Sequence, residues 1–378
     1  MPPSSNRRYV VEALVHASQV LSAFRSAGEL LRLRDVVSRT GLSKMMCFRL
    51  LYTLRLCGFI EKVGANQYRT LSNLLLGRKH VIGYATPGVD ASFSREVTAS
   101  LVRASENAHI ELVTVNNRYD SKTALRNASR LVRESVELVI EFQADELVAP
   151  AVAARFMEAN IPLIAIDIPH PGATYFGANN YDAGLIAGRH LGHWANRSWG
   201  GAVDEVIMVE VARAGSLPRA RIRGILKGLS ETIRLPDQRR VFHVDGDGQY
   251  GPTFDRIRKH LRTSKAKHIV VGAATDPSAL GALRAFEEVG RAAECAVVGQ
   301  NADPEGRAEL RQSRTRLVGS VAYFPENYGA GIIHLARDIL ARKATPPAVF
   351  IKHQLITREN VDHFYPNDAL MGVGVSPI

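Results

Sequence analysis

From residue 80 onward the chain alternates in texture. Short β-branched runs, HVIGYAT, IELVTVN, ELVIEF and PLIAID, are separated by helical periodicity near residues 93–107, 121–135 and 146–159. A second series follows, EVIMVEVA, RVFHVDG, HIVVGAA, AVVGQN and LVGSVAYF, with helical patterns near 218–233, 253–261, 277–290 and 328–342. Alternation of this kind demands parallel sheets with helices on both faces. Two successive series predict two α/β lobes. Open parallel sheets take ligands beyond the carboxyl ends of their strands, so two facing lobes make a cleft lined by strand-end loops.

The segment before this alternation follows another rule. Residues 34–71, RDVVSRTGLSKMMCFRLLYTLRLCGFIEKVGANQYRTL, read as a helix, a tight turn on Gly41, a second helix from Ser43 to Leu56 and a two-stranded hairpin. Val36, Val37 and Leu42, then Leu50, Leu51, Leu54 and Leu56, give each helix an apolar stripe. Gly41 suits the positive φ that ends the first helix, and the Ser43 side chain is a good N-cap for the second. That order is a winged helix-turn-helix. The opposite face of its second helix, opened by Ser43, carries Lys44, Met45, Cys47, Phe48 and Arg49, a surface fit for a DNA major groove. The hairpin tip, with Lys62, Asn66, Gln67 and Arg69, is placed to lie along phosphates. A helical hairpin used only for packing is the alternative, and charge argues against it.

Residues 1–80 hold 13 Lys and Arg against 4 Asp and Glu, or +9, whereas the remaining 298 residues hold 35 against 33, only +2. The basic excess therefore belongs to the head, the footprint of a nucleic-acid contact rather than of a generally basic protein. Three cysteines, Cys47, Cys57 and Cys295, without CxxC spacing support neither disulfides nor a zinc site and point to a reducing cytoplasm. The run YVVEALVHASQVLSAF is broken by Glu12, His16 and Gln19 and reads as a helix packed on the head rather than as an export signal. No apolar run is long enough to cross a bilayer, so no membrane partner is expected.

Expected boundaries are 1–71 for the head, 72–79 for a linker and 80–378 for the two-lobed domain. Lobe 1 covers about 80–178 plus 324–347, and lobe 2 about 179–323 plus 348–378. The three leucines of the linker run SNLLLGRK fit a contact with a partner subunit or the second domain, and equally a cap over the head's own core.

In the two-lobed region the runs YATPGVDASFSREV, NIPLIAIDI, GANNYDAGLIAGRHL, SLPRARIRGIL, TDPSALGALRAFEEVG, AVVGQNADPEG and VAYFPENYGAG occur in order. Together they resemble periplasmic sugar-binding proteins of the ribose-binding type and the effector domains of LacI/GalR-type regulators. The head, notably GLSKMMCFRLLYTLRLCGFIEK, resembles the winged helix of IclR-type regulators. LacI-type proteins lack this wing, and IclR-type proteins usually carry a different effector domain. The first resemblance implies ligand contacts at Asp90 and Phe93 after the first strand and Asp167 after the fourth. In the second lobe it implies Arg223, Thr275, Asp276, Asn301 and Tyr323. Thr275 stands where the family usually has asparagine, Asn301 for aspartate, and Tyr323 for a frequent glutamine. Each residue also has a plain reading: Asp167 ends a strand, Asp90 caps a helix, Phe93 fills core, and Arg223 is a solvated charge beside Arg213, Arg219 and Arg221.

Other chemistry finds no carrier. DGDGQYGPTFD suggests a calcium loop, but position six is Tyr250 and position twelve is Arg256. His190 and His193 lack a third ligand at suitable spacing. No GxSxG, Walker or dinucleotide motif follows a strand. The sequence therefore predicts no enzyme and no cofactor. It predicts a cytoplasmic, homodimeric, DNA-binding regulator whose partners are a double-stranded operator and a small effector, a sugar or related polyol. The rival readings are a solute-binding protein of a sugar transport system and an enzyme on the same fold, the latter disfavoured by the missing catalytic set.

Overall fold

The computed structural model describes residues 10–24, 29–64, 66–70, 80–88 and 90–368. They form two compact units, one ending at His80 and one beginning at Val81, with residues 341–343 grouped with the first.

In the head, α1 (Glu12–Ser22) precedes the short strand β1 (Leu31–Arg32), α2 (Leu33–Thr40), α3 (Lys44–Leu56), β2 (Ile60–Val63) and β3 (Gln67–Thr70). The strands pair antiparallel in the order β1-β3-β2. The local signals act as read from the sequence. Gly41 closes α2 at φ 70°, and Ser43 Oγ accepts the Met46 N–H at 3.3 Å. Val20, Phe24, Leu31, Val36, Leu51, Leu54 and Ile60 share one buried core. The pairing of β1 with β3 is an addition, because two residues carry too little pattern to be read as a strand. Residues 71–79, on which the linker expectation falls, lie outside the described residues.

The second unit opens with β4 (Val81–Thr86), α4 (Ser92–Asn107), β5 (Glu111–Asn116), α5 (Ser121–Arg133), β6 (Leu138–Phe142), α6 (Ala149–Glu158), β7 (Leu163–Ile166) and β8 (Thr174–Gly177). The chain then crosses into α7 (Asn180–Trp199), β9 (Glu205–Glu210), α8 (Ser216–Thr232), β10 (Val241–Asp245), α9 (Tyr250–Leu261), β11 (Ile269–Ala273), α10 (Asp276–Glu288), β12 (Cys295–Asn301), α11 (Pro304–Leu310) and β13 (Leu317–Ala322). It returns through α12 (Tyr328–Leu340) and β14 (Ala348–Phe350), and crosses again to β15 (Gln354–Ile356) and α13 (Val361–Phe364).

Two six-stranded sheets result, β14-β8-β7-β6-β4-β5 in lobe 1 and β10-β9-β11-β12-β13-β15 in lobe 2. All pairings are parallel except β13 with β15. Because β14 pairs with β8, residues 348–350 belong to lobe 1, and the second return falls between β14 and β15 rather than at residue 348. Central strands β6, β7, β11 and β12 are buried along their whole length, which is why their sequences are continuous apolar runs rather than alternations. Each sheet has an apolar core on both faces.

Helices α7 and α8 pack backbone to backbone. A Cβ at Gly184 would sit 1.9 Å from the Arg221 carbonyl oxygen, and one at Gly188 2.1 Å from that of Ile225. From the other side, Gly224 and Gly228 face the carbonyl oxygens of Tyr181 and Leu185. Glycine at four-residue spacing on both helices permits this approach, and it fixes the rotation of α8 about its axis. That rotation decides which arginine reaches the cleft.

Candidate functional site

The carboxyl ends of both sheets converge on one cleft of about 590 Å³, a volume within the range of small-molecule sites. Lobe 1 contributes the turn after β4 with Asp90 and Phe93, Phe142 and Gln143 at the end of β6, and Asp167 after β7. Lobe 2 contributes Glu210, Arg221, Thr275, Asn301, Asp303 and Tyr323, from the ends of β9, β11, β12 and β13 and from α8.

Asp167 sits at φ 58°, a left-handed turn that aims its carboxylate back over Gly177. Its Oδ1 accepts the Ala178 N–H at 3.1 Å and the Tyr328 hydroxyl at 3.3 Å. Loss of hydration pushes this carboxyl up to about 6, against the pull of those bonds and of the Arg221 charge. Phe93 meets Phe142 and Tyr328 of lobe 1 and Tyr323 of lobe 2 edge to face, with centroids 5.7 to 6.3 Å apart. It is thus both core and cleft wall. Asp90 is exposed at the rim.

The expected arginine is wrong by half a turn. Arg223 is exposed on α8 and does not line the cleft. Arg221 is buried, and its Nε and Nη2 donate to Asn180 Oδ1 at 3.1 and 2.8 Å. Its Nη1 donates to the Ala274 carbonyl, and its guanidinium lies 4.7 Å from the centroid of the Tyr323 ring. In the run RARIRG the two arginines are two residues apart, about 200° around a helix. With Gly224 held against α7, Arg221 points into the protein and Arg223 away from it.

A further expectation is corrected at Asp276, and Thr275 is found at the cleft with its hydroxyl engaged. Asp276 is wholly buried behind the wall, where its Oδ1 accepts from Ser320 Oγ at 2.6 Å and its Oδ2 from the Asp303 N–H at 2.8 Å. Burial raises both Asp276 and Asp303, the latter also through the neighbouring Asp276 charge. Thr275 lines the cleft, but its hydroxyl caps α10 by accepting the Ser278 N–H at 3.3 Å and donating to Gly248 O at 3.2 Å. Asn301 stays at the site. It adopts φ 100° and gives its Nδ2 to Asp303 Oδ2 at 3.2 Å, which leaves Oδ1 as the end it offers. Tyr323 likewise remains, presenting a ring whose hydroxyl donates to Gln300 Oε1 at 3.0 Å.

The lobes touch across the rim. Glu146 of lobe 1 accepts the Ser216 N–H at 3.0 Å and Oγ–H at 2.9 Å at the start of α8. Ser92 of lobe 1 donates to the Glu305 carboxylate of lobe 2 at 2.8 and 3.0 Å. Arg213 of lobe 2, paired with Asp247 at 2.8 Å, lies 5.9 Å from the Tyr119 ring centroid of lobe 1.

On the head, Ser43, Lys44, Met45, Phe48 and Arg49 are exposed together at the start and outer face of α3. Cys47 is not among them. It is fully buried with Leu51 and Leu54, four and seven residues on, and belongs to the inner face. On the wing Lys62 and Asn66 are exposed and Gln67 is half-buried, whereas the Arg69 Nε is tied to Glu61 Oε1 at 2.7 Å. No group of metal-ligating side chains occurs among the described residues.

Two lobes that clasp a cleft between their strand ends define a solute-binding class. The chain belongs to the periplasmic binding protein domain family, whose model matches residues 82–344, and residues 13–64 match the IclR helix-turn-helix domain. The ribose import binding protein of Escherichia coli is 24% identical over 237 residues, 61% of this chain and 74% of that protein. That of Salmonella typhimurium is 23% identical over the same length. Among solved structures, a solute-binding protein of Actinobacillus succinogenes with bound D-allose superposes with a TM-score of 0.65 at 15% identity, covering 75% of this chain and 100% of that one. One of Bacillus halodurans with bound myo-inositol gives 0.66 at 19%, covering 76% and 98%. No described helix is long and apolar enough to cross a membrane.

Proposed function

We propose that this chain is a transcriptional regulator that binds a neutral polyol, a sugar or cyclitol, in its cleft and thereby alters its hold on DNA. The observation that carries the reading is the presence on one chain of a basic winged helix, with Lys44 and Arg49 exposed on α3, and a binding-protein cleft. The cleft chemistry supports a neutral ligand. Of the arginines that line it, Arg221 is tied to protein acceptors and Arg213 to Asp247, which leaves the exposed Arg219 against the acceptor oxygens of Asp90, Asp167 and Glu210. Relatives are named for ribose, and similar structures hold D-allose and myo-inositol, all polyhydroxylated and uncharged. In this reading the protein works in the cytoplasm as a homodimer, like LacI/GalR-type regulators, and binds without turnover. One winged helix makes few base contacts, so two heads on a two-fold site supply the affinity.

The likeness to ribose import proteins favours a second reading, a solute-binding protein of a transport system. DNA binding separates the two. Selection of bound fragments from a random duplex pool, followed by anisotropy titration, should yield a specific site whose affinity falls steeply with salt. Combined Lys44→Ala and Arg49→Ala should reduce the salt slope by about two and leave ligand binding intact. A wild-type protein that selects no site yet binds a polyol would overturn the regulator in favour of the transport reading.

A further inference from the structure

Gln143 is absent from every expectation drawn from the sequence, yet it stands in the cleft wall at the carboxyl end of β6. The side chain is 4% exposed. Its Oε1 accepts the Ala144 N–H at 2.8 Å, which fixes the amide: turning it over would set Nε2 against another donor. The Nε2 that remains has no protein partner among the described residues. The other buried side chains in that position, on Thr70, His170, His353 and Tyr365, do not line the cleft. A buried amide N–H left unpaired is costly, and most such groups are satisfied by something.

The other buried donors of this wall are already engaged, and Arg219, Tyr119 and Tyr250 stand in its exposed or half-exposed part. The Tyr323 hydroxyl is given to Gln300, the Asn301 Nδ2 to Asp303, and the Thr275 hydroxyl to the Gly248 carbonyl. Asp167 and Asn301 Oδ1 add acceptor oxygens to this wall. A hydroxyl that gives its proton to such an acceptor still has lone pairs to fill.

We propose that Gln143 is a specificity-determining residue of the cleft, its Nε2 donating to one hydroxyl or ring oxygen of the bound polyol. The inference rests on the polyol reading of the site. A ligand without an acceptor oxygen at that place leaves the amide unpaired and is rejected, the asymmetry by which sites built to hydrogen-bond a hydroxyl discriminate against deoxy analogues.

The test uses the full chain, with D-ribose, D-allose, myo-inositol and allitol as probes, followed by calorimetry with monodeoxy derivatives of the best-bound one. Gln143→Leu should weaken that probe about tenfold or more. The same variant, unliganded, should melt at or above the wild-type temperature, because an unsatisfied amide has been replaced by an apolar group of similar size. One monodeoxy probe should lose affinity for the wild type and lose nothing further on Gln143→Leu. Gln143→Glu, which exchanges the donor for an acceptor, should bind more weakly still. If the wild type binds a probe and Gln143→Leu binds it equally, the role of Gln143 is overturned and the polyol cleft stands. If every deoxy penalty persists undiminished in Gln143→Leu, Gln143 is structural and the inference likewise falls. If the wild type binds none of the four probes, the polyol reading fails and carries this inference down with it.

Discussion

Ligand binding in this cleft should release a proton from Asp167. In the free protein its carboxyl is raised to about 6 by lost hydration, above its ordinary value near 3.8. Hydroxyls that donate to the carboxylate favour its charged form and pull the bound-state value back down. Affinity should therefore be full above the free value and fall as pH drops through it. With a free value of about 6, roughly a tenth of the protein is ionised at pH 5 and roughly nine-tenths at pH 7. A ligand that needs the carboxylate loses about tenfold between those two pH values, or about 1.4 kcal/mol. Calorimetry at pH 6 in buffers of different ionisation enthalpy should register about half a proton released per ligand bound. Asp167→Asn should bind weakly with no such slope. Asp276, raised to about 7 behind Asn301, titrates in the same window. A slope that survives in Asp167→Asn would assign the proton to Asp276, and a flat profile from pH 5 to 7.5 would refute the reasoning outright.

The two arginines of α8 give a matched comparison. Arg223→Ala should bind ligand and melt like the wild type, whereas Arg221→Ala, which strands Asn180 Oδ1 and the Ala274 carbonyl, should lower unfolding free energy by about 3 kcal/mol and weaken binding at least tenfold, both measurable by denaturant titration and calorimetry. Glu146 does not line the cleft, yet Glu146→Ala removes two bonds of the geometry in which the lobes touch. It should accelerate ligand dissociation about threefold to tenfold in stopped-flow displacement, and an unchanged off-rate would show the rim contact to be idle.

Much of this architecture was open to reading because it depends on local rules. The head's turn needed a residue tolerant of positive φ and a capping hydroxyl, and Gly41 and Ser43 supplied them. The buried strands announced themselves as apolar runs. What escaped depends on rotation about a helix axis and on which end of a side chain is already engaged. Arg221 and Arg223 are indistinguishable by composition, and only Gly224 and Gly228, pressed on α7, set the phase. Cys47 looked surface-bound until its four-residue step to Leu51 was matched with the core. Thr275 occupies the expected loop, but capping consumes its hydroxyl. Gln143 carried no signal at all, since a glutamine after a strand is ordinary until its amide proves to be buried and half used.

For the proposed sensor, the division between rim and cleft decides whether binding switches anything. A ligand shifts a two-state equilibrium only by the difference in its affinity for the two states. The direct bonds between lobes, Glu146 to Ser216 and Ser92 to Glu305, lie at the exposed rim, where such contacts contribute about 1 kcal/mol or less each. Were they buried and strong, the lobes would stay together without ligand, and effector would bind tightly yet change little. The cleft inverts that distribution. Its polar groups on Arg221, Asn301 and Gln143 are buried, where a bond made or missed costs several times more. Asp167 and Gln143 belong to one lobe, Asn301 and Tyr323 to the other, so a polyol that engages both sets does so only when the lobes are together. Weak contacts at the rim and strong ones at the ligand are thus the arrangement in which effector, rather than the protein alone, sets the balance between the two geometries.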